Sequence, residues 1–413
     1  MSAAIRFPSP RFPGAFIRLA WSNLAAQSAE QVGLAAAPLV AVLALGAGAG
    51  ETGLLQTAQS LPFLLLSLPA GILADRVSRR GLMVGAEGLR AASLLGILLL
   101  VASGSLTLPA LALLGFIGAM GTVAYSVAAP SLVPALVPRS LLAGANGRLE
   151  LARSAAFAAG PALAGSLVAW AGASLAYALA AGLSVTAVFL LARLAEPSRP
   201  VLPRRHVLHD LREGAGFVLG HALLRPILLC SVLFNLAWFI LQAAYVPYAV
   251  HRLGLTADVI GATLGVYGAG MVVGALLAPR LVRRLPFGAV LGLGPLGGLC
   301  AALVMVLTLW IPSGWLAGLS FFLFGAGPIL WTITSTTLRQ AVTPERMLGR
   351  VSALVMMASF GARPLGAAIG AFLGASYGPA ICIVAAAIGF LAQFLAIFSS
   401  PVPRLNELPE VAV

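Results

Sequence analysis

The sequence predicts an all-α membrane protein with twelve transmembrane helices in two six-helix bundles. Three observations support this prediction. The 413 residues are 60% hydrophobic and only 9% charged, whereas a soluble domain is roughly one quarter charged. The apolar residues fall into twelve stretches, most of them close to the length of about 20 residues that crosses a bilayer. Landmarks of the first half also return in the second half at a nearly constant spacing.

Charges, prolines and glycine clusters separate the predicted spans from one another. The first span is too long for a cleaved signal peptide and eleven more follow it, so we expect it to stay in the membrane. The spans are residues 15–45, 52–74, 82–103, 107–129, 146–170, 174–194, 227–250, 257–279, 287–310, 314–337, 350–374 and 378–399.

The basic residues predict the orientation of these spans. The chain has 25 arginines and no lysine, and its formal net charge is +13. If both termini are cytoplasmic, 21 arginines lie on the cytoplasmic side, whereas Arg252 alone lies in an outer loop and Arg90, Arg153 and Arg363 lie within spans. This is the positive-inside pattern of a bacterial inner-membrane protein. It explains the net charge without a nucleic-acid partner, which the scattered arginines do not favour.

The longest polar stretch divides the chain into two halves. We predict an N-terminal six-helix bundle at 1–195, a cytoplasmic linker with an amphipathic segment at 196–225, a C-terminal bundle at 226–400 and a cytoplasmic tail at 401–413. Gly71 and Gly274, and likewise Pro161 and Pro364, are 203 residues apart. These offsets indicate a duplicated six-helix unit, and parallel repeats with a site between them are typical of transporters.

The segment GILADRVSRR at residues 71–80, between the second and third spans, resembles the cytoplasmic signature of the major facilitator superfamily. The matching residues are Gly71, Asp75, Arg76, Arg79 and Arg80, while Ser78 replaces the usual glycine. The resemblance implies the two-bundle fold of that superfamily. It also implies that Asp75 pairs with arginine to latch the outward-open state, so Asp75→Asn should slow transport without abolishing substrate binding.

Other segments resemble the exporters of that superfamily. AAGPALAG at 158–165 resembles its antiporter motif through Gly160, Pro161 and Gly165. SAEQVGLAAAP at 28–38, TPERMLGRVSAL at 343–354 and RPLGAAIGAFLG at 363–374 resemble the macrolide, tetracycline and enterobactin exporters. The resemblance implies a proton-coupled exporter of a small amphipathic solute, a drug or a siderophore-like compound. An importer or a lysolipid flippase with the same fold stays open as the alternative.

Glu30 is the candidate for proton coupling because it lies near the middle of the first span, where an unpaired carboxylate is costly. Asn23 and Gln27 share its helix face at i, i+4 and i+7 spacing. We expect this face to line a cavity. Glu30 either carries a proton, binds a cationic substrate group or makes a structural hydrogen bond.

A second polar stripe marks the seventh span. Asn235, Trp238, Gln242 and Tyr245 recur at i, i+3, i+7 and i+10, a pattern that suits a pocket for a bulky, mostly apolar solute. Interhelical hydrogen bonding is the other interpretation. Further cavity candidates are Gln56, Gln59, Tyr125 and Trp331.

Arg363 in the eleventh span either contacts an anionic substrate group or pairs with Glu30. Glu87 with Arg90, and Glu150 with Arg153, stand at i, i+3 and predict local ion pairs near the inner helix ends. The sequence has no catalytic constellation and no metal-ligand spacing. We therefore expect no enzyme activity, no metal and no cofactor, and we expect a monomer whose partners are a small-molecule substrate, protons and the lipid bilayer.

Overall fold

The computed structural model describes residues 12–138, 141–195, 207–344 and 347–409. In these ranges the chain forms thirteen α-helices and no β-strand, and a short 3-10 turn, Val402–Arg404, follows the last helix. The helices are α1 (Gly14–Leu43), α2 (Ala49–Arg76), α3 (Arg79–Ala102), α4 (Leu108–Leu136), α5 (Leu142–Ala171), α6 (Ala173–Ala192), α7 (Val207–Gly220), α8 (Leu224–His251), α9 (Ala257–Arg284), α10 (Phe287–Leu307), α11 (Gly314–Val342), α12 (Leu348–Tyr377) and α13 (Pro379–Phe398).

Each predicted span corresponds to one long helix, and α7 falls in the predicted linker. Within the described residues, ten helices are long and apolar enough to cross a membrane, namely α3 to α6 and α8 to α13. Helices α1 and α2 have 30 and 28 residues. They carry Gln27, Glu30, Gln56 and Gln59, which lower their hydropathy. The all-α, twelve-span fold class is therefore confirmed.

Two tight connections recur at equivalent places in the two halves. Gly172 alone separates α5 from α6, and Gly378 alone separates α12 from α13. Their φ angles are 76° and 81°, a left-handed backbone that a side chain disfavours. Glycine therefore lets each pair of helices turn back on itself through one residue.

The two halves share one packing pattern. In the N-terminal bundle, α1 packs against α5 and α6, α3 packs against α4 and α6, and α2 packs against α4. The C-terminal bundle repeats these contacts with helices seven places later: α8 with α12 and α13, α10 with α11 and α13, and α9 with α11. This correspondence supports the duplication inferred from the sequence offsets. The bundles meet where α2 packs against α12 and where α5 packs against α9.

Small residues bring the bundles close at the end of the molecule opposite the chain termini, which we call the distal end. A Cβ atom added to Gly53 would lie 2.5 Å from the Ala371 backbone, and one added to Gly165 would lie 2.3 Å from the Ala257 carbonyl oxygen. Only glycine permits these approaches. The two contacts form a seam that holds the bundles together at the distal end.

Helix α7 lies against α12 at the opposite, terminal end. Glu213 and Arg350 form an ion pair at 2.5 Å, and Val218 is buried beside Val351 and Leu354. The predicted amphipathic segment is thus a helix packed on the C-terminal bundle. Residues 196–206 of the predicted linker lie outside the described ranges.

His221 connects α7 to α8. Its Nδ1 accepts hydrogen bonds from the backbone N–H groups of Leu223 and Leu224 at 3.1 and 3.4 Å. Partial burial lowers the pKa of His221 below its usual value. The imidazole therefore favours its neutral form, which is the form that accepts these bonds.

Candidate functional site

A cavity of about 1010 Å³ lies between the two bundles, and its walls come from all twelve long helices. It reaches the terminal end, because Arg339 in the last turn of α11 and Gly349 in the first turn of α12 line it. At the distal end the glycine seam brings the bundles together. The cavity is therefore a vestibule that runs from the terminal end past the middle of the molecule, as far as Pro38 of α1 and Val246 of α8.

Most of the predicted site residues line this cavity. From the N-terminal bundle come Glu30, Gln56 and Gln59. From the C-terminal bundle come Asn235, Trp238, Gln242, Trp331 and Arg363. Residues from five helices, separated by up to 333 positions in the sequence, thus face one space.

Four predicted cavity residues lie away from the cavity wall. Asn23 and Tyr125 are buried inside the N-terminal bundle, 3.5 Å apart through Asn23 Oδ1 and the Tyr125 hydroxyl. Gln27 is half-buried and also lies off the wall. Tyr245 is fully buried, with its hydroxyl bonded to Thr263 and its ring 4.5 Å from that of Phe321.

The physical reason for these differences is which neighbouring helix covers each side chain. At about 100° per residue, Tyr245 lies only about 20° from Trp238 around α8, but it is seven residues nearer the distal end. There Thr263 of α9 and Phe321 of α11 cover it. On α1, Asn23 lies seven residues nearer the terminal end than Glu30 and packs against α4 and α5.

A buried ionic network forms the N-terminal wall. Arg90 on α3 donates from Nη1 to Glu87 Oε1 at 2.6 Å, and its Nη2 lies 3.5 Å from Glu30 Oε2. The guanidinium also donates to the Ala26 carbonyl at 3.1 Å and to the Thr122 hydroxyl at 2.8 Å. One arginine is thus shared between two carboxylates and two neutral acceptors.

The two carboxylates of this network have different surroundings. The Glu87 side chain is fully buried, and its second oxygen accepts a hydrogen bond from Ser184 at 2.9 Å. The Glu30 side chain is 17% exposed and lies on the cavity wall. Glu87 therefore fixes Arg90 in place, whereas Glu30 is the carboxylate that water or substrate can reach.

The i, i+3 pairing of Glu87 with Arg90 is confirmed, but its predicted place was wrong. The pair lies in the middle of α3, buried and joined to Glu30, because Ser184 and Thr122 from neighbouring helices complete its hydrogen bonds. The Glu150–Arg153 pair on α5 is also present, with Nε of Arg153 2.9 Å from Glu150. Arg153 lines the cavity as well.

Aromatic rings form much of the C-terminal wall. The Trp238 ring is 5.2 Å from Tyr267, 5.9 Å from Phe321 and 5.1 Å from Phe324. It also stacks on Phe234 at 6.1 Å. A rigid apolar surface of this kind suits a flat, apolar part of a ligand.

Arg363 lies on α12 where the two bundles meet. Its Nε donates to Asn235 Oδ1 at 3.0 Å, and its guanidinium carbon lies 4.0 Å from the Phe360 ring centroid and 5.3 Å from that of Phe63. Within the described residues no carboxylate lies within 4 Å of it. Of the two predicted roles, direct pairing with Glu30 is absent from this conformation, because Glu30 pairs with Arg90.

Sequence reasoning missed a polar face on α11. Thr332, Ser335, Thr336 and Arg339 all line the cavity and recur at i, i+3, i+4 and i+7. Arg339 was used only as one of the arginines that predict the orientation, because it lies just beyond the predicted end of the tenth span. The helical spacing of three hydroxyls with an arginine was the signal that could have revealed this face.

Of the two sequence motifs, the one on α5 contributes to the cavity wall, whereas none of the described residues of the motif at the α2–α3 junction does. Arg80 donates a hydrogen bond to the Ala192 carbonyl, and the backbone of residues 71–76 completes α2. The side chains of Asp75 and Arg76, and the surroundings of Gly71, lie outside the described part. In the second motif Pro161 lines the cavity, and a Cβ atom added to Gly160 would lie 2.5 Å from the Gln31 Cβ atom. Gly165 belongs to the distal seam.

Comparison with known proteins agrees with this geometry. The sequence profile described as Major Facilitator Superfamily matches residues 19–367. The enterobactin exporter EntS of Escherichia coli O1:K1 is 30% identical over 327 residues, which are 78% of this chain and 76% of that protein. EntS of Shigella boydii serotype 18 matches equally, with 30% identity over the same shares.

Solved structures show the same fold. A bacterial homologue of the iron transporter ferroportin in the inward-facing state has a TM-score of 0.70 at 19% identity, covering 92% of this chain and 98% of that one. A POT family transporter in complex with a thioalcohol-conjugated peptide has a TM-score of 0.76 at 12% identity, covering 95% and 96%. These relatives are transporters and not enzymes. The chain is therefore a multi-pass membrane transporter that belongs to the Major Facilitator Superfamily.

Proposed function

We propose that this transporter exports a small amphipathic solute, drug-like or siderophore-like, across the bacterial inner membrane by proton antiport. The two bundles alternate in opening the central cavity to either side, and one monomer is sufficient. The similarity to proteins named enterobactin exporters supports the direction of transport. The aromatic wall and the cavity of about 1010 Å³ support an amphipathic solute of moderate size.

One observation carries the proposal of proton coupling: Glu30 lines the cavity while sharing Arg90 with the buried Glu87. A carboxylate at this depth is tolerated only when paired, hydrated or protonated. Arg90 is nearer to Glu87, at 2.6 Å, than to Glu30, at 3.5 Å. When Glu30 is protonated, Arg90 keeps its partner Glu87, so the network accepts or releases one proton without leaving a buried arginine unpaired.

The distribution of arginines supports the orientation of the cycle. Because the topology predicted from the sequence puts 21 of the 25 arginines on the side of the two termini, the terminal end is cytoplasmic under the positive-inside rule. The conformation described above is then open to the cytoplasm. Glu30 releases its proton inward in this state while substrate binds, and it takes up a proton from outside after the distal seam has opened.

The motif residues supply the gate and the pivots in this proposal. Asp75 and Arg76 end α2, and Arg79 and Arg80 begin α3. This junction lies at the terminal end and latches the bundles when the cavity opens outward. Gly160, Pro161 and Gly165 lie where α5 packs against α1 and α9. Close packing without side chains allows these helices to rock as rigid bodies.

Proton release in inverted vesicles tests this function. The vesicles contain a pH-sensitive dye, are energised to an acidic interior, and receive macrolides, tetracyclines, dyes or catecholate siderophores in turn. An exported compound enters the vesicle and should drive protons out, so the interior pH should rise. Glu30→Gln should abolish this rise, whereas Glu407→Gln, an exposed carboxylate in the tail, should leave it unchanged.

The other outcomes would revise the proposal. A pH rise that survives Glu30→Gln would assign coupling to another acid. Transport in the opposite direction would favour an importer. Translocation of a labelled lysolipid, with no response to any soluble compound, would favour a flippase.

A further inference from the structure

The charges on the cavity wall are unequal. Among the described lining residues there are four arginines and one acid, Glu30. Arg90 pairs with Glu87 and Glu30, and Arg153 pairs with Glu150. Arg339 and Arg363 have no carboxylate within 4 Å in the described part of the chain. The cavity therefore contains two cationic groups that no carboxylate of the described residues contacts directly.

The contacts of Arg363 leave part of its guanidinium available to a ligand. Its Nε is used by Asn235, and the rings of Phe63, Phe239 and Phe360 lie 4.0 to 5.6 Å from its central carbon. Its two terminal nitrogens donate to no described group. Such a group is held in place and presents a pair of donors, the geometry that binds a carboxylate or a similar oxyanion.

Arg339 offers a second cationic group nearer the mouth of the cavity. It lies in the last turn of α11, and its Nε is buried without a hydrogen-bond partner. Ser335 and Thr336 are its neighbours on the same helix face, and Ser352 of α12 also lines the cavity. Hydroxyls beside an arginine supply the additional donors that an oxyanion accepts.

The two arginines lie at different depths. Arg363 is the sixteenth residue of α12, which begins at Leu348 at the terminal end, so it lies roughly 22 Å along that helix at 1.5 Å per residue. Arg339 is three residues from the end of α11, roughly 5 Å along the axis by the same rise. An anion that enters from the terminal end therefore meets Arg339 before Arg363.

We propose that the substrate is an organic anion with an apolar, flat body, and that Arg339 and Arg363 bind its anionic group in succession. Arg339 forms a vestibule subsite that captures the anion. Arg363 forms the central subsite, where the apolar body packs on the aromatic wall around Trp238. This inference rests on the proposed function for the direction of movement, and it names the substrate class that the same cavity takes.

Three matched probes test the central subsite by equilibrium binding, which requires no proton gradient. They are naphthalene-2-carboxylate, naphthalene-2-carboxamide and 2-naphthylmethylammonium, titrated against the full chain in nanodiscs at pH 7. The carboxylate should bind at least about tenfold more tightly than the amide, since hydrogen bonds to a charged acceptor are stronger than those to a neutral one. The ammonium should bind most weakly.

Arg363→Gln should remove the preference for the carboxylate while the amide keeps its affinity within about twofold, because the aromatic wall is unchanged. Retained binding of the amide also shows that the variant is folded. Arg363→Lys should retain part of the preference. Arg283→Gln, an exposed arginine at the end of α9, should behave like the unaltered chain.

The vestibule subsite is tested by association kinetics. Arg339→Gln should lower the association rate of the carboxylate and weaken its dependence on salt, with a smaller change in equilibrium affinity, because charges along an approach path act mainly on association. Stopped-flow tryptophan fluorescence measures this rate. An association rate unchanged in Arg339→Gln would overturn the vestibule subsite.

Equal affinity for the carboxylate and the amide, a preference for the ammonium, or no binding of the carboxylate at millimolar concentration would each overturn the anion site. These results are independent of proton coupling. A carboxylate preference combined with proton release that survives Glu30→Gln would retain the substrate class and reject the coupling residue. Equal affinity for the carboxylate and the amide, combined with proton release that is lost in Glu30→Gln, would retain the coupling residue and reject the substrate class.

Discussion

The two bundles have the same packing and opposite chemistry. The N-terminal wall of the cavity holds Glu30, Glu87 and Arg90 in a network in which each charge has a partner. The C-terminal wall holds aromatic rings together with Arg339 and Arg363, which have no carboxylate partner in the described part of the chain. Helix contacts repeat from one bundle to the other, whereas the side chains at the cavity do not.

This difference teaches how a duplicated fold acquires a function. The contacts between helices are set by small residues and apolar faces, and these are retained in both halves. Side chains that point into the cavity bear no packing role of that kind, so they are free to differ. We infer that one wall became the proton site and the other became the substrate site.

Removing one arginine from each wall, Arg90 or Arg363, should give the largest difference between the two bundles. Arg90→Met leaves the buried Glu87 and the cavity-lining Glu30 without their partner, and loss of one member of such a network costs about 3–5 kcal/mol. Arg363→Met loses one hydrogen bond and its ring contacts, about 1–2 kcal/mol. Unfolding of both variants in mixed micelles by sodium dodecyl sulfate measures the two costs. Equal destabilisation would contradict the difference between the walls.

A smaller effect is expected at the distal seam. Gly165→Ala places a methyl group against the Ala257 carbonyl and Gly261, and overpacking of this kind costs about 1–3 kcal/mol. This cost arises only in the conformation whose distal end is closed. The conformational equilibrium should therefore shift toward the conformation whose distal end is open. Gly182→Ala is the control, because nothing lies within 4 Å of the added Cβ atom.

Spin labels at the distal connections measure this shift. Ser105→Cys and Ser313→Cys, in a chain whose native Cys230, Cys300 and Cys382 are replaced, place one label on each bundle. The distance distribution should gain a longer component in Gly165→Ala and should stay as it was in Gly182→Ala. An unchanged distribution in both variants would show that the seam does not hold the distal end closed.

Much of the fold could be predicted because it depends on the composition of the chain and on the length and spacing of its apolar stretches. Twelve apolar stretches, cut at charges and glycines, each correspond to one long helix. The site could be predicted only in part. Glu30 and Arg363 were identifiable as charges in apolar surroundings. The sharing of Arg90 between Glu30 and Glu87 depends on the tertiary arrangement that brings Glu30 of α1 within 3.5 Å of Arg90 on α3, and no local pattern encodes that. Tyr245 shows the same limit, since it is buried by Thr263 of α9 and Phe321 of α11, and no spacing within α8 encodes those contacts.

The smallest expected effect is a pH-dependent loss of local stability at the α7–α8 junction. Because it comes from His221, it must be measured separately from any pH effect on the ionic network of the N-terminal wall. The pKa of His221 is lowered in the folded protein by burial, so the native state binds fewer protons there than the unfolded state. Its stabilising contribution is complete above the unfolded pKa of about 6.5. It is lost as the pH falls below that value toward the lowered pKa.

Hydrogen exchange at the amides of Leu223 and Leu224 measures this effect. Protection relative to the intrinsic exchange rate should decrease between pH 7.5 and 5.5, because a protonated Nδ1 no longer accepts their hydrogen bonds. In His221→Ala the protection should be low and independent of pH. A pH-dependent loss that persists in that variant would assign it to another group.

A comparison of counterflow with uphill transport tests most directly whether the N-terminal wall holds the proton site and the C-terminal wall holds the substrate site. Proteoliposomes carry the unaltered chain, Glu30→Gln or Arg363→Gln, together with an exported compound identified by proton release. Exchange of labelled for unlabelled compound requires binding and alternation but no net proton movement, whereas accumulation driven by a pH gradient requires coupling as well. Glu30→Gln should lose accumulation and retain exchange, and Arg363→Gln should lose both. Loss of exchange in Glu30→Gln, or accumulation that survives in it, would contradict the assignment of the proton site to the N-terminal wall.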